Sequence, residues 1–481
     1  MLRRQEERKN FFDFLFERGL VYRYSQERFA QLQGGGQPYP SPTRIVGVNG
    51  QNFVEELIQP VLTPVVFSKE ETARLEKLVR VYGKFLKVQF EFFKAVKAGE
   101  VNGFISELVR KMCTEDEWQF GLVNSGYDEI LPFVRFDCLR TQDGFLVVDI
   151  NSTRPAGVGD CVVLSRGYKE FGFDGRSFSL EQCFADAVRN CFEQWRKGKS
   201  GGDGYGVLVR KSDGDWHNFR ILAECLNRAG FAAELIDNLD VSGFKTIVRS
   251  RIKEGDSLFT QLAGLYPDSL CVISPLYRRF LGNKLWMYLI HLPQAQDFFV
   301  ERLGSEDFAF LKKFFPEIGI MDGNQICLAD GRRVELTAKN RKEWVIKAPA
   351  GSSANGMIFG LMNEDRWRSL VSGDLSGCIV QRFYRSMEKF PVVGKNGEVA
   401  EENLYTKYGV FILGGKLAGC EVMARRHHIV HGARNTYFSV CFEERRPAEG
   451  PHVSYSDSNH PPSCKCWNCI GSASRFATDE D

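Results

Sequence analysis

The sequence predicts an α+β fold with a helical N-terminal region and a small parallel-sheet α/β domain. Apolar residues recur at helical spacing between residues 75 and 93. Strand, helix and strand patterns alternate over residues 205–275, which predicts a parallel sheet. Strand-like segments dominate from about residue 325 onward. At 481 residues the chain is too long for one hydrophobic core, so two to four folding units are expected.

The N-terminal region, residues 1–134, is predicted to be mainly helical. Ser68 precedes the apolar stripe and Glu71 follows three residues later, which is the pattern of a capping box. We assign this stripe to the core and no ligand to it.

The segment 133–151 carries the most informative motif. Arg135 and Asp137 lie in an alternating strand pattern, Gly144 ends a turn sequence, and a β-branched, apolar run follows. Asp149 and Asn151 are two residues apart and should therefore leave the same face of their strand. Asp137 is expected to meet them from the partner strand.

These three side chains predict a cation site. Two carboxylates and an amide are hard oxygen donors, which suit Mg²⁺ that shares its shell with phosphates. Arg135 beside them would clamp an oxyanion through two donors. The alternative is a surface hairpin that carries Asp and Asn without a ligand.

The middle of the chain alternates helices with short strands. Helices are predicted at about Leu180 to Trp195 and at about Asn218 to Ala229, and residues 197–204 have linker composition. Residues 283–292 should form a helix that stops before Pro293.

The second half contains a lysine followed by a loop of small residues. Lys347 ends a strand, and residues 348–356, including Gly351, precede another strand. A flexible loop of this kind can close over phosphates, with Lys347 as a point charge. It is not a Walker motif, because no Gly-Lys-Ser/Thr opens a helix after it. An ordinary hairpin loop is the alternative.

Taken together, these motifs resemble the ATP-grasp ligases in the circularly permuted arrangement of glutathionylspermidine synthase-like proteins. The matching elements are Arg135-x-Asp137, Asp149-x-Asn151-Ser152, Asn283-Lys284, Trp344-Val-Ile-Lys347-x-Pro-x-Gly351, Val380-Gln381-x-Phe383 and the strand-turn-strand from Tyr408 towards Arg425. The resemblance covers about residues 60–445.

The resemblance implies ATP and two Mg²⁺ ions as cofactors. It assigns the metal to Asp137, Asp149 and Asn151, the transferred phosphoryl group to Arg135, with Arg425 as the second catalytic arginine, and the nucleotide to Lys284, Lys347, Gly351 and Gln381. Asp149 stands where the family usually has Glu. Ser352 stands where the family often has Arg. Arg426 competes with Arg425 for the position of the family's arginine.

The implied organisation has five parts. They are a helical region at 1–134, the metal-binding part of the ATP-grasp core at 135–204, a small α/β domain at 205–275, the lid and nucleotide-binding core at 276–445, and a Cys/His-containing tail at 446–481.

The implied activity is that of an ATP-dependent carboxylate-amine ligase, an enzyme that forms an amide or peptide bond through an acyl phosphate. The alternatives are an ATP-dependent phosphotransferase and a non-catalytic nucleotide- or peptide-binding protein. The expected partners are a small-molecule or peptide carboxylate and an amine. The sequence does not identify these substrates, their order of binding or the oligomeric state.

Composition limits the partners and the cellular compartment that are expected for the protein. The formal net charge of +2 gives no basic field for nucleic acid, and no apolar run approaches a membrane span. Eleven cysteines are scattered singly from Cys113 to Cys441, which favours reduced core thiols in a cytoplasmic protein.

The C-terminal tail and a histidine segment offer weaker signals. His460, Cys464, Cys466 and Cys469 have workable zinc spacing, although an exposed redox-sensitive tail or a disordered tail is favoured over a zinc site. His427 and His431 are four residues apart, and a surface or substrate-lining loop is favoured there over a metal site.

Overall fold

The computed structural model describes most of the chain in segments. The described residues are 5–17, 44–48, 51–55, 58–101, 103–152, 154–197, 199, 204–209, 216–236, 243–250, 252, 255–348, 357–362, 364–393, 399–428, 430 and 436–445. Two units are distinguished, Met1–Glu444 and Arg445–Asp481, and only Arg445 of the second is described.

The described residues form helices along the whole unit. They are α1 Gln5–Glu17, α2 Lys69–Lys97, α3 Gly103–Met112, α4 Glu115–Phe120, α5 Val158–Glu170, α6 Leu180–Trp195, α7 Trp216–Arg228, α8 Ser257–Leu265, α9 Leu285–Leu289, α10 Pro293–Leu303, α11 Ser305–Lys312 and α12 Glu364–Val371, with 3₁₀ turns at Arg279–Gly282 and Arg341–Glu343.

The strands alternate with these helices. They are β1 Arg44–Val48, β2 Gln51–Glu55, β3 Ile58–Pro60, β4 Val65–Phe67, β5 Phe133–Thr141, β6 Gly144–Asn151, β7 Arg176–Ser177, β8 Tyr205–Leu208, β9 Ala233–Ile236, β10 Thr246–Arg249, β11 Cys271–Ile273, β12 Ile318–Asp322, β13 Gln325–Leu328, β14 Arg333–Glu335, β15 Trp344–Lys347, β16 Met357–Phe359, β17 Ile379–Arg382, β18 Met387–Val393, β19 Val399–Leu413, β20 Lys416–Arg425 and β21 Thr436–Glu443.

A nine-stranded sheet carries the candidate site. Its main path is β3-β21-β20-β19-β5-β6, with β18 beside β19 and with β4 and β7 beside β21. Phe136, Val410 and Val422 lie on one face of this sheet and share a core with α2. Phe411 and Phe438 lie on the other face and share a second core with α5 and α6. Because side chains alternate between faces, the polar positions of this second face line up across neighbouring strands.

The helix α2 begins as the sequence predicts. Glu71 N–H donates to Ser68 Oγ at 3.2 Å, and Ser68 N–H donates to Glu71 Oε2 at 3.0 Å. This capping box is therefore confirmed.

The predicted parallel sheet is also confirmed. Its order is β11-β10-β8-β9, and each neighbouring pair is parallel. The helix α7 connects β8 to β9, and Gly230 follows it with a φ of +88°, a conformation that favours glycine.

A six-stranded antiparallel sheet of order β14-β13-β12-β17-β15-β16 holds Lys347. Lys347 pairs with Ile379 of β17, so Gln381, two residues further along β17, shares its face.

Two expectations need correction or extension. The helix expected over residues 283–292 is only the short α9, Leu285–Leu289, and Pro293 is the first residue of α10. Proline suits that first position because its fixed φ matches a helix and its missing N–H would have no partner there. The N-terminal region also contributes strands, since β3 and β4 pair with β21.

Within the described residues, no helix is long and apolar enough to cross a membrane. The eleven cysteines from Cys113 to Cys441 are all free thiols, as the sequence predicts.

Candidate functional site

The β5–β6 hairpin aligns the four polar residues that the sequence predicts. Arg135 lies opposite Asn151, and Asp137 lies opposite Asp149. The expected cross-strand meeting of Asp137 with Asp149 is therefore confirmed.

A bulge in β6 makes this alignment compatible with the core. Asp137 pairs with Asp149, but the next residue, Cys138, pairs with Val147, so Val148 is the extra residue. Val147 is fully buried in the core beneath the sheet. In a regular strand of this sequence, Val147 and Asp149 would point to the same face, because they are two residues apart. The bulge thus lets β6 bury Val147 and still present Asp149 to the site.

Asp137 is held by two cations. Its Oδ1 accepts from Arg135 Nε at 2.9 Å, and its Oδ2 accepts from Lys407 Nζ at 2.7 Å. Burial raises the pKa of Asp137, but Arg135 and Lys407 outweigh burial and lower the pKa to about 2. Asp137 is therefore a carboxylate at every physiological pH.

Asp149 pairs with the predicted nucleotide-site lysine. Lys284 Nζ lies 2.8 Å from Asp149 Oδ1, which also accepts the Ile150 N–H at 2.9 Å. Lys284 reaches this position because the preceding 3₁₀ turn packs tightly on the end of β6. A Cβ at Gly282 would lie only 2.3 Å from Ser152 Oγ. The glycine therefore permits the close approach that brings Lys284 to the hairpin.

Lys347 joins the antiparallel sheet to the hairpin. Its Nζ donates to the backbone carbonyl of Val148 at 3.0 Å and to Gln381 Oε1. The bulge residue therefore supplies the acceptor, one residue before Asp149. Burial lowers the pKa of Lys347 to about 8, although the nearby Asp149 acts in the opposite direction.

Gln381 is almost fully buried and is bonded at both ends. Its oxygen accepts from Lys347, and its Nε2 lies 3.5 Å from Met287 Sδ. These contacts make Gln381 a support for Lys347, a role that the sequence did not suggest.

Glu421 is a site residue that the sequence analysis missed. It lies on β20 opposite Gly409, which in turn lies opposite Asp137. Its carboxylate is fully buried and lies 2.8 Å from Arg135 Nη1. Burial raises the pKa of Glu421 to about 7, although Arg135 opposes the rise. The signal that could have found it is a single acidic residue within the apolar run 417–424.

Arg135 has most of its donors committed. Nε donates to Asp137, while Nη1 lies beside Glu421 and donates to the Ala156 carbonyl at 3.4 Å. Nη2 has no polar partner among the described residues. Burial lowers the pKa of Arg135, but the two carboxylates outweigh it, so the pKa is raised overall. The two-donor clamp expected for Arg135 is thus reduced to a single available nitrogen.

The remaining predicted residues lie further away or outside the described residues. Arg425 lies four residues beyond Glu421 on β20, roughly 13 Å along the strand. His427 and His428 stack with ring centroids 4.0 Å apart, and His428 also contacts Phe359 of β16. Gly351, Ser352, His431 and the tail residues His460, Cys464, Cys466 and Cys469 lie outside the described residues.

The donor chemistry of the hairpin fits a hard cation at Asp149 and Asn151. Asp149 is part-exposed, Lys284 is its only ion-pair partner among the described residues, and Asn151 lies on the same face of β6. Both oxygens of Asp137 are already bonded to side-chain cations. No group of three or more His, Cys, Asp or Glu suited to a metal occurs in the described part of the chain. A cation here would therefore complete its shell with ligand oxygens and water, as Mg²⁺ commonly does.

Comparison with known proteins shows the fold. No protein-family model matches the chain, and no curated protein matches it. Its structure is similar to that of a glutathione synthetase-like effector from Globodera pallida in the apo form, with 13% sequence identity and a TM-score of 0.51. That match covers 92% of this chain and 96% of the other. A putative gamma-glutamylcysteine synthetase from Methylobacillus flagellatus KT matches at 12% identity, 74% and 85% coverage and a TM-score of 0.33, too low to carry an argument. The chain therefore has a mixed helix-and-strand fold of glutathione synthetase-like type.

Proposed function

We propose that the protein is an ATP-dependent carboxylate-amine ligase of ATP-grasp type, in the circularly permuted, glutathionylspermidine synthase-like arrangement. One observation carries the proposal. Lys347, from a different sheet, bonds the Val148 carbonyl beside Asp149. This contact supports the proposal because it brings the predicted phosphate-binding lysine next to the predicted metal-type hairpin.

The charges of this site suit a polyphosphate. Its cations are Arg135, Lys284, Lys347 and Lys407, and its carboxylates are Asp137, Asp149 and Glu421. With every group ionised, the cations exceed the carboxylates by one. Mostly buried side chains hold this excess charge in low dielectric, where it attracts an anion more strongly than it would in water.

The proposed reaction has two steps. The γ-phosphoryl group of ATP transfers to an oxygen of the substrate carboxylate, and ADP leaves. The nitrogen of a neutral amine then attacks the acyl carbon, inorganic phosphate leaves, and the nitrogen loses a proton. The substrates are a small-molecule or peptide carboxylate and an amine. The residues of this chain act mainly by positioning and electrostatics, as is general for phosphoryl transfer.

Each residue has a definite task in this scheme. Arg135 Nη2 would donate to the transferring phosphoryl group, while Lys347 and Lys284 would contact the polyphosphate. Asp149 and Asn151 would hold Mg²⁺, with Asp137 fixing Arg135 and Lys407 beside it. Bound Mg²⁺ supplies neutralisation of charge on the phosphate oxygens.

The test incubates the full-length protein with Mg·ATP and pools of amino acids, peptides and polyamines, and measures the release of ADP. Asp149→Asn and Asn151→Ala should lower turnover by about 100-fold or more, because they remove ligands that orient the phosphates. Asp143→Asn is the matched control, since Asp143 lies exposed in the turn of the same hairpin. Wild-type turnover in Asp149→Asn would contradict the assignment, and a stable phosphorylated product without amide would indicate a phosphotransferase.

A second candidate function is non-catalytic nucleotide binding. It is favoured by the ion pairs of Asp137, both of whose oxygens are bonded to side-chain cations. Mg·ATP that binds in calorimetry but is not turned over with any substrate pool would select this candidate.

A further inference from the structure

Glu421 is the one fully buried acidic side chain of the described site that the proposed reaction does not use. It is 0% exposed, and neither carboxylate oxygen has a hydrogen-bond partner within the described part of the chain. Its nearest charged neighbour is Arg135 Nη1, at 2.8 Å but outside hydrogen-bond alignment. A buried carboxylate without hydrogen bonds lowers the stability of the folded protein, so a functional role would explain why Glu421 is present.

Two glycines make the space that this carboxylate occupies. A Cβ at Gly409 would lie 2.4 Å from Glu421 Cγ, and a Cβ at Gly157 would lie 2.4 Å from Glu421 Oε2. Gly157 is also the N-cap residue of the thirteen-residue helix α5, with a φ of +88°. The carboxylate is thus enclosed between a strand, a helix start and Arg135, and any side chain at either glycine would displace it.

The enclosed carboxylate limits how Arg135 can turn. Asp137 holds Nε on one side, and Glu421 with the Ala156 carbonyl holds Nη1 on the other. Two carboxyl groups on different edges of a planar guanidinium fix the plane and leave only Nη2 without a partner among the described residues. A carboxylate on Nε alone would let the two Nη groups exchange places more readily by rotation about Nε–Cζ, a bond with partial double-bond character.

We infer that Glu421 is a positioning residue for Arg135: its buried carboxylate fixes the guanidinium so that Nη2 alone meets the transferring phosphoryl group. This inference rests on the proposed function. Glu421 itself contacts no substrate in this scheme and acts through Arg135.

The kinetic test compares Glu421→Gln with a matched control in the full-length protein. Glutamine keeps the volume but removes the charge. The control is Glu117→Gln, since Glu117 is similarly buried, at 1% exposed, but accepts the N–H groups of Thr114 and Phe280. Glu421→Gln should lower kcat for ATP turnover by about 10- to 100-fold, because misplacing a group near the reacting atoms has effects of this size. KM for ATP should change by less than about threefold, since the lysines still bind the phosphates.

A second variant tests the same contact by rescue. Glu421→Ala empties the space between the two glycines, and added formate should enter it beside Arg135 and restore part of the lost turnover. Formate should leave Glu117→Ala unchanged. Loss of turnover in Glu421→Ala without any rescue by formate would count against positioning by the carboxylate.

A measurement independent of activity separates the inference from the proposed function. In protein labelled with ¹⁵N-arginine, Arg135 should give distinct Nη resonances in the wild type, because a clamped guanidinium rotates slowly. Glu421→Gln should merge them, and Arg135→Lys identifies them. If the wild type turns over ATP while Glu421→Gln matches both the wild-type kinetics and the wild-type spectrum, the inference is wrong and the proposed function stands. If no ATP is bound at all, the proposed function fails and the spectra alone decide the role of Glu421.

Discussion

Lys347 should make nucleotide binding depend on pH in a narrow window. Burial lowers its pKa to about 8 in the free protein. About half of the lysine is then charged at pH 8 and roughly a tenth at pH 9. If only the charged amine binds phosphate, Kd for a nucleotide rises by about fivefold from pH 8 to pH 9 and by about tenfold from pH 7 to pH 9. A tenfold change corresponds to about 1.4 kcal/mol.

The assay is calorimetric titration with Mg²⁺ and a non-hydrolysable ATP analogue at pH 7, 8 and 9 and at constant ionic strength. Salt must be fixed because screening also changes the affinity for anions. Lys347→Arg is the matched control, since a guanidinium stays charged over this range and should give a Kd that does not rise. A wild-type Kd that is as flat as that of Lys347→Arg would refute the reasoning.

Three further predictions concern stability. The raised pKa of Glu421, about 7 against its usual 4.5, means that the folded state binds more protons between these values. Unfolding free energy should therefore fall by about 3 kcal/mol more in the wild type than in Glu421→Gln as the pH rises from 4.5 to 7, measured by urea titration at each pH. Gly282→Ala should lower the free energy of unfolding by about 1–3 kcal/mol, because the added Cβ would meet Ser152. The control Gly264→Ala should not destabilise the protein, because no atom lies within 4 Å of the added Cβ. Equal effects of the two variants in thermal melts would count against the tight contact. Ser68→Ala should cost about 1 kcal/mol and Ser68→Asp little, because aspartate keeps the acceptor; a loss as large in Ser68→Asp would reject the capping argument.

Local chemistry explains what the sequence could predict. The capping box at Ser68 and the β5–β6 hairpin depend on residues close together in the chain, and their patterns were readable. The placement of Asp137 opposite Asp149 depends on the bulge in β6, because a regular ladder from the turn would place Asp137 opposite Val148. The meeting of Lys347 with the hairpin was expected only through family resemblance, because it spans 199 residues.

Non-local pairing explains what was missed. Glu421 and Lys407 reach Arg135 and Asp137 through the strand order β20-β19-β5, which no local pattern encodes. The bulge left no readable trace, since residues 145–148 are all apolar and show no alternation that an extra residue could interrupt. The helix α9 is shorter than predicted, and Pro293 begins α10, whereas the sequence pattern predicted a helix that stops before it.

The extra residue of β6, Val148, should tolerate substitution better than deletion. Lys347 is anchored to the main chain at position 148, so any amino acid that keeps the local backbone can replace the valine without removing the acceptor. Deleting one codon there would instead restore an unbroken ladder that keeps Asp149 opposite Asp137 but removes the carbonyl that Lys347 contacts. Natural variants should therefore differ in the identity of residue 148 far more readily than in the length of this strand.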